Sequence, residues 1–518
     1  MNWVKAITVA IVIAGCGSTQ IKRDVAKQGW HELTSEHFVL VTDLPAPMAI
    51  QRLRELESMW HALADNYVLV APALPPPKHR LRVVQLNSCR DFRRIIWAPG
   101  IGGYVSTTID FEGSRMMVTC EWRGQRVNPR GEILLHELAH VFNNHYFSRT
   151  PAWLNEGLAT YYQTMQLRRG KVTIGNMSYM DATKWRSPRW MPTITQLTGF
   201  SYGQFYSKRR RNYYAGWKLV HLLNSTKAYQ KVFRRYMFRL AKGEAHQAAW
   251  DATIGRIGMA KLQSQFKRYE HRGGIRLWSR PYMAKTKLGS LSTRKLRPGE
   301  SHALWAHLQM IRADALGQKA SEKQPVEAHL KYAAADDSAW AGTLFWRASY
   351  AFHFQRKANG LAVAAQLLRQ YVKRQPDDGR GWLGLVKVGL AKLVAADHLG
   401  VEPKPPTGLA TLSKDVAALL RVARTEEQLN AVGWYYALLR RPRTGLNFAV
   451  RALRLRPRCT RCMNTLALLL YQRGDTKQAH DMMRKAIHLR AEQHIPDNWR
   501  KRLTHYQRAL AKTPPAPN

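Results

Sequence analysis

The chain has 518 residues, enough for two or three domains. Its hydrophobic fraction of 45% and charged fraction of 22% are those of folded chains and exclude wholesale disorder. No apolar run reaches the roughly 18 residues of a membrane-spanning helix, which excludes a polytopic membrane protein. The 81 Lys and Arg against 35 Asp and Glu give a formal charge of +46, which favours anionic partners without identifying them.

The N-terminus has the features of an export signal. Lys5 precedes an apolar run over residues 6–14 that is too short to cross a bilayer. The sequence Ile-Ala-Gly-Cys at residues 13–16 resembles a bacterial lipobox, in which cleavage precedes Cys16 and its thiol carries lipid. An ordinary signal with a coincidental cysteine is the alternative.

We therefore predict a signal peptide over residues 1–15 and a tether over residues 16–29, anchored to the membrane by lipid at Cys16. By resemblance to sorted lipoproteins, Gly17 implies the outer membrane, with the protein facing the periplasm.

The other four cysteines suit an oxidising compartment. Disulfides between Cys89 and Cys120 and between Cys459 and Cys462 would leave no free thiol among them. Two unpaired cysteines beside a turn are the alternative for the second pair.

Residues 30–272 show strand patterns first and helical patterns afterwards. Alternating apolar residues predict a strand pair, or a strand after a turn, over residues 30–41. Gly102-Gly103-Tyr104 is interpreted as a turn. Further strands are predicted over residues 81–86 and 115–120, and helices over residues 47–68, 132–147, 154–166, 213–224, 228–241 and 259–269. This order predicts an α+β domain.

The strongest chemical signal is His136-Glu137-Leu138-Ala139-His140. Two histidines four residues apart lie on one face of a helix, so both imidazoles can reach one metal ion. Glu137 lies beside them, where its carboxylate can take a proton from metal-activated water. The flanking residues are apolar on nearly all sides, and a metal would offset the cost of burying these polar groups.

A candidate third ligand follows at Glu156. Catalytic zinc typically has three protein ligands. Fifteen residues separate Glu156 from His140, which is enough for a helix end, a turn and entry into a second helix. An antiparallel pair of helices would bring Glu156 back over the two histidines.

The sequence His-Glu-Leu-Ala-His followed by Trp-Leu-Asn-Glu-Gly-Leu-Ala resembles gluzincin metallopeptidases, the peptidase MA-like group related to thermolysin and aminopeptidase N. The resemblance implies a thermolysin-like zincin domain over residues 30–272, with a small mixed sheet and a helical subdomain. It also implies that His136, His140 and Glu156 hold Zn²⁺. In that family the glutamate at the position of Glu137 is the general base and proton shuttle.

The resemblance leaves the oxyanion donor open. Tyr213 and Tyr214 follow Glu156 by 57 and 58 residues, and aminopeptidase N-like enzymes have a tyrosine at a comparable distance. We favour Tyr214, and the alternative is that both tyrosines only pack the helix that follows. Asn155 and Thr160 either orient ligands or cap and pack a helix.

Two departures from the family pattern bear on specificity. The interval to Glu156 is shorter than in aminopeptidase N-like enzymes, and no Gly-x-Met-Glu-Asn segment is present to bind a free α-amino group. An endopeptidase is therefore favoured over an aminopeptidase. The strand over residues 115–120 is expected to hold the substrate backbone by edge pairing.

Residues 273–300 are rich in Gly, Arg, Lys, Ser and Pro and are predicted to be a linker. Beyond them, residues 301–518 resemble tetratricopeptide repeats at landmarks such as Trp382, Tyr436 and Pro457. We predict an all-α tetratricopeptide-like solenoid whose concave face binds an envelope protein partner or the substrate. An irregular helical bundle is the alternative.

Basic clusters at residues 208–211, 451–458 and 500–502 predict contact with anionic lipid, although a general excess of solvated charge is an alternative. No nucleic acid is expected, because no recognition motif accompanies the charge. Taken together, the sequence predicts zinc-dependent hydrolysis of a peptide or protein substrate in the cell envelope. Two alternatives stay open: a non-catalytic envelope scaffold lipoprotein with a structural metal site, and a metallohydrolase acting on a non-peptide amide.

Overall fold

The computed structural model describes residues 29–69, 74–77, 79–97, 101–121, 131–147, 150–176, 191–269, 277–282, 291–355, 359–393, 401–403, 405–490 and 495–512. The chain divides into two compact units. The first comprises Met1–Thr107, Arg115–Leu296 and Ile311–Glu322, and the second Thr108–Ser114, Arg297–Met310 and Lys323–Asn518. The predicted signal peptide, the lipid anchor at Cys16 and all but the last residue of the predicted tether lie outside the described residues.

The first unit contains two small sheets. Their strands are β1 (His31–Thr34), β2 (Phe38–Thr42), β3 (Leu81–Leu86), β4 (Gly103–Thr107), β5 (Arg115–Cys120), β6 (Gln166–Arg168), β7 (Lys171–Ile174), β8 (Trp278–Pro281) and β9 (Ser292–Lys295). The larger sheet is mixed and has the order β4-β5-β3-β2-β1-β9, with parallel pairing only at β2/β3 and β3/β5 among the described strands. The smaller is antiparallel, with the order β6-β7-β8. The predicted small mixed sheet is confirmed, and β3 and β5 have the predicted bounds.

Two predictions about this sheet are wrong. The segment at Gly102-Gly103 is not a turn, because Gly103 begins β4 and pairs with Thr119. Residues 115–120 do not form a sheet edge, because β5 is paired on one side with β3 and on the other with β4. Among the described strands, the edge on this side of the sheet is β4.

The interval predicted as a linker contributes a strand to each sheet of the first unit. Within residues 273–300, β8 pairs with β7 and β9 pairs with β1. All four residues of β9 are exposed. Edge strands of this kind are rich in charged and polar residues, so they lack the apolar alternation by which a strand is recognised in sequence.

Helices make up most of the rest of the first unit. They are α1 (Ala46–Val68), α2 (Cys89–Phe92), α3 (Glu132–Tyr146), α4 (Ala152–Gln163), α5 (Ile194–Gly199), α6 (Tyr202–Ser207), α7 (Arg209–Leu223), α8 (Lys227–Ala241), α9 (His246–Asp251) and α10 (Met259–Arg268). Two glycines let α4 and α7 approach closely. A Cβ atom at Gly157 would lie 2.7 Å from the carbonyl oxygen of Gly216, and one at Gly216 would lie 2.9 Å from that of Trp153.

Every described element of the second unit is a helix. The helices are α11 (Pro298–Ala315) and α12 (Ala320–Asp336), each divided between the units, then α13 (Gly342–Phe354), α14 (Gly360–Arg374), α15 (Gly379–Leu393), α16 (Ser413–Val422), α17 (Glu426–Leu438), α18 (Pro442–Leu455), α19 (Thr460–Arg473), α20 (Thr476–His488) and α21 (Asp497–Lys512). From α13 onward, helices that are consecutive in sequence pack on one another. Short connections between packed neighbours make antiparallel pairs. The prediction of a helical C-terminal part is confirmed.

Both predicted disulfides are present. Cys89–Cys120 joins α2 to the end of β5, and Cys459–Cys462 lies at the start of α19. Within the described ranges, no helix combines the length and the apolar character that a bilayer crossing requires.

The segment Thr108–Ser114 is held by the helices of the second unit. Phe111 is 1% exposed, and its ring lies 5.7 Å from that of Phe345 and 5.3 Å from that of Phe352. Side chains also bind its backbone: Ser349 donates to the Ile109 carbonyl at 2.8 Å, and Lys387 donates to the Phe111 carbonyl at 2.5 Å. This segment is therefore part of the second unit's core, which the sequence patterns did not predict.

We predict that Phe111→Ala destabilises the second unit by about 3–5 kcal/mol, because it removes a buried aromatic ring and leaves a cavity. Thermal and denaturant unfolding of the full chain measure the loss. Val363→Ala is the control, since Val363 is 39% exposed on α14. Equal stability of the two variants would show that the segment is not part of the core.

Glu112, in the same segment, gives a pH-dependent prediction. Burial, reinforced by Asp110, raises the pKa of Glu112 from 4.5 to about 7. The folded state then favours the protonated carboxyl, so stability from this group is lost as pH rises from about 4.5 to about 7 and is constant above. Glu112→Gln avoids that loss.

The variant should therefore gain stability relative to the natural chain between about pH 5 and pH 8, by at most about 3 kcal/mol. Denaturant unfolding at both pH values measures the change. Glu402→Gln, at an exposed side chain, is the control. If the stability difference between Glu112→Gln and the natural chain does not increase between pH 5 and pH 8, the raised pKa of Glu112 is contradicted.

Candidate metal centre

Two consecutive helices bring the predicted ligands together. The apolar residues of α3, including Leu134, Leu138 and Phe142, are buried in the core of the first unit. This orients the opposite face, with His136 and His140, towards α4, which packs on α3. The imidazoles are 12% and 13% exposed, whereas the side chain of Glu156 is 2% exposed.

The three side chains converge on one point. The Nε2 atoms of His136 and His140 are 3.1 Å apart. Oε2 of Glu156 lies 3.3 Å from the first and 3.4 Å from the second. The antiparallel helix pair expected from the sequence thus brings all three predicted zinc ligands within reach of a single ion.

A chain of hydrogen bonds fixes the orientation of His140. Tyr67 Oη donates to Asn143 Oδ1, and Asn143 Nδ2 donates to the carbonyl and side-chain oxygens of Asn155, at 3.0 and 3.1 Å. Oδ1 of Asn155 therefore accepts, and Nδ1–H of His140 donates to it at 3.2 Å. Asn155 is thus placed to orient His140, and its role in orienting a metal ligand stays a prediction.

His136 is held in the same way by Gln163, whose Oε1 lies 2.9 Å from Nδ1 of the imidazole. With both Nδ1 atoms donating, each Nε2 presents a lone pair towards the carboxylate of Glu156. Among the described residues, Oε2 of Glu156 has no other partner than these imidazoles. Three electron-pair donors then face one another, which is stable only if a cation or a proton lies between them.

The electrostatics of the site point the same way. Burial lowers the pKa of His140, but the Glu156 carboxylate outweighs it and raises that pKa to about 9. Burial has the opposite effect on Glu156 and raises its pKa. The two imidazoles outweigh burial and bring the pKa of Glu156 well below its usual range. The site therefore attracts positive charge. A His₂Glu donor set is one of the sets that hold catalytic zinc, so these residues fit that ion.

The side chain of Glu137, on α3, lies against Gly103, the first residue of β4. A Cβ atom at Gly103 would be 3.0 Å from Cγ of Glu137 and 2.9 Å from Cγ2 of Ile133. Glycine at this position is what allows strand and helix to approach. Burial raises the pKa of Glu137, while His140 and His136 lower it and Glu156 raises it further, so that a rise remains.

Two tyrosines lie beside the predicted metal ligands. Tyr206 donates from its hydroxyl to Oε1 of Glu156. The ring of Tyr213 stacks on that of His136, with centroids 5.9 Å apart and planes 8° from parallel. Tyr214 is 1% exposed and its ring stacks on Trp217 at 5.7 Å. Of the two tyrosines considered from sequence, Tyr213 is therefore the one whose ring lies beside a predicted ligand, and the identity of the oxyanion donor stays a prediction.

Sequence patterns did not identify Tyr206, Gln163 or Asn143. Tyr206 lies on the short helix α6, whose capping box of Ser201 and Gln204 is a sequence signal for the helix but not for its target. Thr160, considered as an orienting residue, has a buried hydroxyl with no hydrogen-bond partner within the described part of the chain.

No family model matches the sequence, and no curated protein matches it either. Among solved structures, the chain is similar to a thermophilic TPR protein of Thermus thermophilus, with 19% identity and a TM-score of 0.29 over 41% of this chain and 99% of that one. It is also similar to the TPR domain of P58(IPK), with 13% identity and a TM-score of 0.21 over 62% of this chain and 84% of that one. Both are tetratricopeptide repeat proteins. The pairing of helices in the second unit is seen directly from the packing of consecutive helices on one another.

We predict that Asn155→Ala weakens zinc binding by about 10- to 100-fold, because His140 loses the acceptor that fixes its tautomer and orientation. Competition against a chromogenic chelator measures the affinity. Thr160→Val on the same helix is the control, since the Thr160 hydroxyl has no hydrogen-bond partner among the described residues. Equal affinities in the two variants would exclude this orienting role for Asn155.

Proposed function

We propose that the first unit is a zinc-dependent peptidase with a thermolysin-like fold. The observation that carries the proposal is the convergence of two imidazole nitrogens and a buried carboxylate oxygen within 3.4 Å of one another. Zinc would be held by His136, His140 and Glu156. When bound, the ion supplies Lewis acidity towards a carbonyl oxygen and towards water.

Glu137 is the general base of this proposal. It lies on the ligand-bearing helix, one residue after His136, and accepts the proton of the attacking water. Burial raises the pKa of Glu137, which is the direction that helps a carboxyl hold a proton and deliver it to the leaving amine.

Two tyrosines have further roles in this proposal. Tyr206 donates a hydrogen bond to Oε1 of Glu156 and so keeps Oε2 directed towards the imidazoles. We assign the oxyanion-donor role that the sequence favoured for Tyr214 to Tyr213, whose ring lies against His136.

A peptide substrate is supported by one edge of the larger sheet. Among the described strands this edge is β4, and its first residue, Gly103, lies next to Glu137. An extended peptide could pair with this edge through backbone hydrogen bonds. Such pairing recognises the backbone of the substrate and does not require its free N-terminus, which supports an endopeptidase over an aminopeptidase.

A catalytic centre is favoured over a structural one by ligand number. A structural zinc site is closed by four protein ligands. In the described ranges, the group around His136 offers three ligand residues, His136, His140 and Glu156. The rival proposal of an envelope scaffold with a structural metal therefore ranks second. A hydrolase of non-peptide amides would use the same three-ligand centre, and the sheet edge beside Glu137 is what favours a peptide substrate.

For the remainder of the chain, we propose that the helical repeats bind an envelope protein partner or the substrate. We further propose export, lipid attachment at Cys16 and an outer-membrane location facing the periplasm. The charge of +46 supports a contact with anionic lipid.

The decisive variants are Glu137→Gln and His136→Ala. We predict that the first retains zinc and loses peptide hydrolysis by about 10²–10⁴-fold, since only the general base is removed. The second should lose both zinc and hydrolysis. Zinc content by elemental analysis and cleavage of a quenched fluorescent peptide library measure the two properties.

Glu132→Gln, in the first turn of the same helix, is the matched control and should keep both properties. Undiminished peptide cleavage by Glu137→Gln would overturn the mechanism. If the natural chain bound zinc yet cleaved no peptide, the scaffold proposal would take its place.

A further inference from the structure

A second cluster of ligand-type side chains lies where the turn between β1 and β2 meets α1. The turn carries Glu36 and His37, and α1 carries Glu57 and His61 one helical turn apart. Neither the turn nor α1 contributes a ligand to the centre described above. The two clusters are therefore built from different elements.

His37 is held as a metal ligand is held. Its Nδ1 lies 2.7 Å from Oε2 of Glu57, and its backbone N–H donates to Oε1 of the same carboxylate at 2.9 Å. The imidazole also stacks on Trp60, with centroids 3.5 Å apart and planes 18° from parallel. A histidine bound through Nδ1–H to a carboxylate, with its ring fixed, presents Nε2 as a basic lone pair.

Two further ligand-type side chains lie beside the imidazole of His37. Oε1 of Glu36 lies 3.7 Å from Nε2, and the ring of His61 is edge-on to His37 with centroids 5.3 Å apart. One ligand atom from each of the three residues lies within 4.8 Å of the others. Glu36 is exposed and His61 half-buried, so an ion would reach the cluster directly from solvent.

Carboxylates surround the two imidazoles. Glu36 lies 3.7 Å from one nitrogen of His37, and Glu57 lies 2.7 Å from the other. These carboxylates supply the negative charge that a divalent cation needs.

We infer that Glu36, His37 and His61 form a second site for a divalent transition-metal ion such as Zn²⁺, with Glu57 orienting His37. Two imidazoles and one carboxylate favour this class of ion over Mg²⁺ or Ca²⁺, which take oxygen ligands. The bound ion would join the β1–β2 turn to α1 and leave coordination positions open to solvent. The site does not depend on the proposed peptidase activity.

Zinc titration of the full, metal-free chain tests the inference. The natural chain should bind about two equivalents, and His61→Ala about one. A double variant, His136→Ala with His140→Ala, should also bind about one, and adding His61→Ala to it should abolish binding. Glu36→Gln, at an exposed residue whose change leaves the fold intact, should weaken the second equivalent at least about tenfold.

His480→Ala is the matched control, because His480 also lies beside a carboxylate, that of Asp481 at 3.3 Å. Within the described ranges, His480 does not belong to a group of three ligand-type residues. It should keep both equivalents. If His61→Ala and Glu36→Gln bind as much zinc as the natural chain, or if the double variant binds none, the second site does not exist. Failure of the peptidase proposal would appear instead as absent cleavage with both equivalents retained.

Discussion

The first unit depends on a buried carboxylate that faces two imidazoles. Glu156 is 2% exposed, and a charged group at that depth is stable only if opposite charge and hydrogen bonds replace its hydration. Tyr206 supplies a hydrogen bond to one oxygen, and the imidazoles of His136 and His140 face the other. A cation bound between these groups would satisfy all of them at once.

The surrounding fold makes this arrangement possible by close backbone approach. Gly157 and Gly216 let α4 and α7 pack nearly backbone to backbone, and α7 carries Tyr213 to the ring of His136. On the other side, Gly103 lets the edge strand approach Glu137. Side chains larger than hydrogen at these positions would displace Glu137 or the helix that carries His136 and His140, because close-packed interiors do not absorb such changes.

The sequence predicted those features that depend on local periodicity. The helices α3 and α4, the strands β3 and β5, and the two histidines on one helix face all follow from spacing within a few residues. Features that depend on distant partners were missed. The strand β9 is a polar edge strand that is ordered only by pairing with β1, and Phe111 is buried only because the helices of the second unit surround it. Tyr206 binds Glu156 across 50 residues, a separation at which no spacing rule applies.

A crystal structure of the zinc-loaded chain, with anomalous scattering at the zinc edge, would show whether His136, His140 and Glu156 share one zinc ion. We predict an anomalous peak about 2.0–2.2 Å from Nε2 of both histidines and from an oxygen of Glu156. An anomalous map with no peak between these three side chains in protein that has bound zinc, or with Glu156 turned away from the ion, would contradict it.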